Sequence, residues 1–153
     1  MEALSDPNIH IIGVCLCGNN DDHLNTVIRR VRREGLLGVT VMVNIGENPN
    51  LRMIQDEIAH QLGFTFQTKP EAISCCAVFD IKTKNKKVVS QNARELSHRI
   101  RTESNVLFIL RDLHTRLDLA KLGVDHQFCK LVLTSHNEKM LLKRNNVQRT
   151  FKL

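Results

Sequence analysis

The residues that could do chemistry begin in a short polar loop, Gly18–His23, which follows an apolar run and precedes an amphipathic stretch. That setting is where a phosphate-binding loop belongs in an α/β protein. Such a loop reads GxxxxGK[ST]: glycines let backbone N–H groups approach the phosphates, lysine meets the outer phosphates, and Ser or Thr holds Mg²⁺. This loop has no lysine and no second glycine, and Asp21 and Asp22 stand where a cation is needed. The sequence therefore predicts the frame of a nucleotide site without its usual contact residues.

Asp21 and Asp22 have two interpretations, as ligand contacts or as helix caps. One pair of unit charges at 4 Å is worth about 1 kcal/mol in water and ~4 kcal/mol at an effective dielectric constant of 20, so these acids disfavour a polyphosphate. In the first turn of a helix, each acid instead interacts favourably with the helix dipole by roughly 0.3–1 kcal/mol. We therefore expect the two carboxylates to cap a helix.

A second polar group, Arg111-Asp112-Leu113-His114, follows another apolar run. Arg111 could contact a phosphate, or it could form a salt bridge with Asp21, Asp22 or Asp112, which is the interpretation we favour. Asp112 could orient a water or a metal, but one carboxylate alone is a weak indication. Because His23, His114 and His136 fall in separate loops, no metal site is expected.

Apolar runs alternate with amphipathic stretches along the whole chain. Strands are predicted at 9–17, 39–45, 106–110, 130–134 and 150–153, and helices at 24–35, 49–63, 90–100, 116–122 and 138–142, with Asn48 and Ser90 as N-caps. This alternation predicts an α/β fold with a parallel sheet and right-handed crossovers. Ligands in such sheets lie beyond the carboxyl ends of the strands, so we expect the site in the loops after Cys17, Leu110 and Thr134.

Residues 64–89 fit the alternation poorly. They contain a short apolar run, a basic turn at 82–87 and Val88-Val89. We interpret this stretch as an inserted hairpin or an irregular segment.

Composition limits the class of protein. A length of 153 residues, with 42% hydrophobic and 25% charged residues, suits one globular domain. No apolar run approaches the ~20 residues of a membrane span, and the first residues lack the pattern of a signal peptide, so a cytoplasmic location is expected. The five cysteines lack metal-binding spacing and are expected to be buried reduced thiols; they are Cys15, Cys17, Cys75, Cys76 and Cys129.

The net charge of +6 raises the possibility of a nucleic-acid partner. The basic residues are dispersed, and the chain contains no Trp or Tyr on which bases could stack. We therefore interpret the charges as solvated faces and do not expect nucleic acid to bind.

Several segments of the sequence resemble the NB-ARC nucleotide-binding domain of plant disease resistance proteins. These proteins combine a coiled coil, a nucleotide-binding domain and leucine-rich repeats. The segments are Met1–Leu4 with Ile9–Val14, Val41–Leu51 with Ile54–Ala59, Arg116–Val124, and Cys129–Ser135. The resemblance covers nearly the whole chain except 64–89. It implies a P-loop NTPase-like parallel β-sheet with helices on both faces, in three α/β/α layers. It also implies a cytoplasmic, ADP/ATP-dependent switch in plant defence signalling.

The resemblance assigns nucleotide contacts residue by residue. The family's lysine falls on or beside Asp22, and its hydroxyl residue falls near His23. The family's paired acids fall on Arg111 and Asp112. Its sensor arginine falls on His136. The full set of equivalent positions is Gly18, Asn19, Asn20, Asp22, His23, Asp112 and His136. Because three polar contacts are altered at once, we expect ADP or ATP binding to be weakened or lost, and we expect neither catalysis nor a bound metal.

The chain stops at Leu153, where the family's helical ARC subdomains would begin. We therefore expect 1–153 to be a partial NB-ARC domain, without the ARC subdomains, the coiled coil or the leucine-rich repeats. Two functions follow: a fragment with the family's switch role, or a non-catalytic interaction module that binds no nucleotide. The expected partners are other resistance-protein domains or immune receptors, and no membrane.

Overall fold

The computed structural model of the protein describes residues 2–18, 21–35, 38–67, 78–144 and 147–153. Within these ranges five strands form one sheet in the order β2-β3-β4-β1-β5, and all four neighbouring pairs are parallel. The strands are β1 (Ile11–Cys15), β2 (Val39–Gly46), β3 (Val106–Leu113), β4 (Cys129–Ser135) and β5 (Arg149–Lys152). The predicted α/β fold with a parallel sheet is confirmed.

Helices cover both faces of the sheet, which makes three layers. On one face α1 and α2 pack against side chains such as Ile12 and Ile109. On the other face α3 to α6 pack on a larger cluster that includes Phe108 and Leu131. The helices are α1 (Glu2–Ser5), α2 (Asp21–Arg33), α3 (Leu51–Gln61), α4 (Val78–Thr102), α5 (Leu119–Leu122) and α6 (Glu138–Arg144).

The apolar patterns account for most of these elements. Phe108, Ile109 and Leu110 are each fully buried, as expected for a central parallel strand covered on both faces. In α2 the apolar stripe is buried and the four arginines on its other side are exposed, because residues three and four apart share one face of a helix. No helix of the described residues is long and apolar enough to cross a membrane.

Three predictions about helix limits are wrong. α4 begins at Val78, so Ser90 lies inside it, and residues 78–89 are helical rather than part of the inserted hairpin or irregular segment expected over 64–89. The basic run 82–87 contains no Gly or Pro, and its lysines are good helix formers. The N-cap of α3 is Asn50 rather than Asn48, since the Asn50 side chain accepts from the backbone N–H groups of Arg52 and Met53 at 3.1 and 3.3 Å. Residues 68–77, with Cys75 and Cys76, lie outside the described residues.

The strand order creates a crevice at the carboxyl edge of the sheet. The chain leaves β1 toward α2 on one face, whereas it leaves the neighbouring β4 toward α6 on the opposite face. Loops that depart to opposite sides from adjacent strands leave a gap between them, and ligands of open α/β sheets bind there. The register pairs Cys15 with Ser135 at this edge.

Candidate functional site

The loop after β1 turns sharply at the edge of the sheet. The Leu16 N–H donates to the Ser135 carbonyl at 2.9 Å, and the Cys17 N–H donates to the Leu153 carbonyl at 2.7 Å. Gly18 follows with φ +78°, a conformation that favours glycine, and α2 begins at Asp21. The predicted contacts Asn19 and Asn20 lie outside the described residues.

Asp21 and Asp22 lie in the first turn of α2, where the sequence predicts them. The Asp21 carboxylate forms an ion pair with Arg111, with 2.7 Å between Oδ1 and Nη2. The Arg111 side chain is 25% exposed and that of Asp21 is 58% exposed, so the guanidinium is the better shielded partner. This pair confirms the salt bridge we favour for Arg111 and identifies which acid forms it. It also joins the end of β3 to the start of α2.

Asp112 is held by other protein groups. Its backbone has φ +58°, which Asp tolerates better than most residues, and its N–H donates to the Thr134 hydroxyl at 3.2 Å. Its carboxylate Oδ1 lies 3.0 Å from His114 Nε2. The Asp112 carboxylate at the end of β3 is therefore paired with a histidine that follows the strand.

The His136 side chain bridges the loops that follow β4 and β1. Its Nδ1 lies 3.0 Å from the Leu16 carbonyl oxygen, which belongs to the loop after β1. Beside it the buried Ser135 hydroxyl donates to the Leu113 carbonyl at 2.6 Å and accepts from the Asn137 N–H at 3.1 Å. The ends of β1, β3 and β4 are therefore tied together by hydrogen bonds within the protein.

Thr134 and Ser135 are site residues that the sequence reasoning missed. Both are buried and polar at the end of an apolar strand, and each bonds to the last residues of β3. Two hydroxyls that close a buried apolar run are a visible signal, because buried polar groups need partners. They position the loops around the crevice.

A second ion pair lies at the same edge. Lys152 at the end of β5 meets Glu138 at the start of α6, with 2.9 Å between Nζ and Oε2. The hydrogen bond to Glu138, followed by its negative charge, raises the pKa of the Lys152 ammonium. Both Arg111 and Lys152 thus face carboxylates of the chain itself.

The cysteines at this edge differ from each other. Cys15 is buried, as predicted, and burial raises the pKa of its thiol, with the neighbouring Cys17 adding to the effect. Cys17 is exposed, so its predicted burial is wrong. β1 ends at Cys15, and beyond the last residue of a strand the alternation of faces no longer predicts burial.

The predicted positions are thus distributed around one edge of the sheet. Gly18, Asp22 and His23 lie at the start of α2 or just before it, Asp112 at the end of β3, and His136 after β4. Asp22 and His23 are exposed, and the Asp22 carbonyl accepts from the Thr26 hydroxyl at 2.8 Å. Within the described part of the chain, no group of three or more His, Cys, Asp or Glu residues could hold a metal ion.

Comparison of the sequence with known proteins finds no family model that matches the chain and no curated protein that matches it.

Proposed function

We propose that this chain is an NB-ARC-type domain of the plant disease-resistance class in which nucleotide binding is lost. It works in cytoplasmic defence signalling through contacts with other resistance-protein domains or immune receptors. The observation that carries the proposal is the 2.7 Å ion pair between Arg111 and Asp21 at the start of α2. The family assignment is supported by the sequence segments that resemble NB-ARC domains, and it is compatible with the parallel sheet and its crevice.

The ion pair changes what the start of α2 can bind. A helix N-terminus normally attracts an anion, because its free N–H groups and dipole favour negative charge. Here Asp21 and Asp22 supply that charge from the chain itself, and Asp21 neutralises the guanidinium of Arg111. A diphosphate would have to displace Asp21 and then lie beside two carboxylates. At about 1 kcal/mol or more per like-charge pair, each contact lowers affinity roughly fivefold or more.

The remaining polar groups at the edge support the same conclusion. Lys152 is engaged by Glu138, Asp112 by His114, and His136 by the Leu16 carbonyl. A catalytic phosphoryl-transfer site needs groups that hold the metal and the γ-phosphate together. The contacts described at this edge are instead made between protein groups, which stabilise the loops.

A small apolar groove of about 160 Å³ lies between α1, α2 and the sheet. Most of its lining side chains are buried in the core, among them Ile12, Ile28 and Ile109, whereas Phe151 is 40% exposed. Phe151 therefore offers an apolar contact point on this face of the sheet, which is compatible with the interaction role.

Calorimetric titration of the folded protein with ADP and with Mg-ATP tests the loss of nucleotide binding. We expect no heat of binding at nucleotide concentrations up to the millimolar range. The matched variant Asp22→Lys restores the family's lysine but leaves the Arg111–Asp21 pair in place, so it should remain without affinity. Binding of ADP to the unmodified protein at micromolar concentrations would contradict the proposal and support the family's switch role. Restoration of binding by Asp22→Lys alone would contradict the importance of the ion pair.

A further inference from the structure

A second groove lies on the opposite face of the sheet, between α4, α5 and the loop that leads into β4. It has a volume of about 680 Å³. Asp125 and His126 in its lining precede the first residue of β4, and Arg101 lies in the last turn of α4, so the groove opens toward the amino ends of the strands. We propose that this groove binds an acidic segment of a partner protein. This inference rests on the function proposed above in one respect, namely that the partner is a protein.

Two arginines of the groove, with a histidine between them, form a line along α4. Arg94, His98 and Arg101 are spaced by four and three residues, so they lie on one face of the helix. At 1.5 Å per residue they span about 10 Å. All three are exposed, and His126 faces them from the loop before β4. This extended arrangement matches several carboxylates of one peptide better than a single compact anion.

Arg101 is held in place at one end of the line while remaining accessible. Its guanidinium carbon lies 4.7 Å from the centre of the Phe128 ring, and Nη2 lies 3.7 Å from the Asp125 carboxylate. The side chain is nevertheless 54% exposed. Since a guanidinium has five N–H donors, one loose ion pair leaves donors for a ligand. Fixing a side chain before binding reduces the entropy that binding costs.

The floor of the groove is apolar and rigid. Ala93, Leu119 and Val124 contribute to it. Helices α4 and α5 approach so closely that a Cβ on Gly123 would lie 2.5 Å from the Ala93 carbonyl oxygen. The buried Gln55 amide donates to the carbonyls of Val89 at 3.0 Å and Leu122 at 3.2 Å, which ties both helices to α3. A preformed apolar floor with a cationic rim suits a peptide that carries both acidic and apolar side chains.

One observation favours a peptide over nucleic acid. The chain has no Trp or Tyr, and among the described residues that line the groove no side chain is aromatic apart from histidine, so there is little on which bases could stack. The net charge of +6 favours encounter with acidic partners in general.

The test measures fluorescence anisotropy of a labelled peptide that alternates glutamate with leucine, using the full chain at low salt. Arg94→Glu and Arg101→Glu should each weaken binding by about tenfold, since each reverses a charge within reach of the ligand. The control Arg32→Glu makes the same change on the exposed side of α2, on the other face of the sheet, and should alter affinity by less than about twofold. Circular dichroism confirms that each variant is folded, and Arg94→Gln provides a milder change.

Four results would overturn the proposal. The first is that a peptide with glutamine in place of glutamate binds as tightly as the acidic peptide, and the second is that Arg32→Glu loses as much affinity as the groove variants. The third is that inorganic phosphate displaces the peptide at a concentration equal to that of the peptide. The fourth is that single-stranded DNA binds more tightly than the peptide and that the groove variants abolish this binding. Failure of this proposal is distinguishable from failure of the proposed function, because the nucleotide crevice lies at the carboxyl edge of the sheet and the groove between α4 and α5 opens toward the amino edge. Tight ADP binding together with unchanged peptide binding would reject only the proposed function. Absence of both ADP binding and peptide binding would reject only the peptide-binding proposal.

Discussion

The thiol of Cys129 is buried at the first residue of β4, and its Sγ lies 3.2 Å from the Asp125 carbonyl oxygen. Burial, followed by the negative charge of Asp125, raises the pKa of this thiol from 9.0 to about 12. The unfolded chain therefore releases this proton near pH 9, whereas the folded protein keeps it. Because the folded state binds more protons between these two values, the free energy of unfolding falls as the pH rises through that window.

Replacement of Cys129 by alanine should remove this pH dependence. Between pH 9 and 10.5, we expect the unfolding free energy of the unmodified protein to fall relative to Cys129→Ala by about 1 kcal/mol per pH unit on average. Urea unfolding at several pH values measures the difference. The control Val132→Ala, in the same strand, should lower stability by an amount that does not vary with pH, because valine carries no proton. Parallel curves for the unmodified protein and Cys129→Ala would contradict the raised pKa.

For single residues, the sequence predicts burial within strands but not the contacts between distant residues. The burial of Cys15 and Cys129 follows from their places in apolar runs, but Cys17 lies past the end of its strand and is exposed. For Arg111 the sequence leaves three acids open as partners. Only the packing of α2 beside the end of β3 selects Asp21. Contacts between residues far apart in the chain depend on that packing, which local patterns do not contain.

The junction between α4 and α5 depends on one glycine. Gly123 ends α5 with φ +94°, and a Cβ there would lie 2.6 Å from the Ala93 Cα as well as close to its carbonyl. Gly123→Ala should therefore cost roughly 1–2 kcal/mol for the left-handed conformation. The steric conflict with the backbone of α4 should add roughly 1–3 kcal/mol.

Gly63 provides the matched control for this prediction. It follows α3 with φ +75°, but no atom lies within 4 Å of the position that a Cβ would occupy there. Gly63→Ala should thus cost only the conformational part, roughly 1–2 kcal/mol. Chemical denaturation of both variants gives the comparison. Equal losses of stability would show that the close approach of α4 and α5 is not a constraint.

At the level of elements, periodicity predicts the existence of most strands and helices but not all of their limits. The stripes of α2 and α3 and the buried run of β3 predict those elements correctly. The start of α4 has no such signal, because its first turns combine lysines with apolar residues in no clear period. The four-residue α1 was also missed, since one helical turn is too short to show a period.

For the whole molecule, the alternation of elements predicts a parallel sheet, yet it does not determine the order of the strands. That order places β1 between β4 and β5. The loops after β1, β3 and β4 lie at one edge of the sheet, as predicted, because that placement follows from strand direction alone. The pairing of charges within it required the three-dimensional arrangement. Topology thus explains why the location of the candidate site was predictable and its contacts were not.

The same topology predicts an uneven stability across the sheet. β3 lies between β2 and β4 and contains fully buried residues, whereas β5 is a four-residue edge strand with mostly exposed side chains. Amides of β3 should exchange with solvent only through global unfolding, and those of β5 through local opening, about a hundredfold faster or more. The other edge strand, β2, is a control for edge position. Its buried residues pack under α3, so its amides should exchange more slowly than those of β5. Hydrogen exchange followed by NMR measures all three strands, and equal protection of β5 and β3 would contradict the prediction.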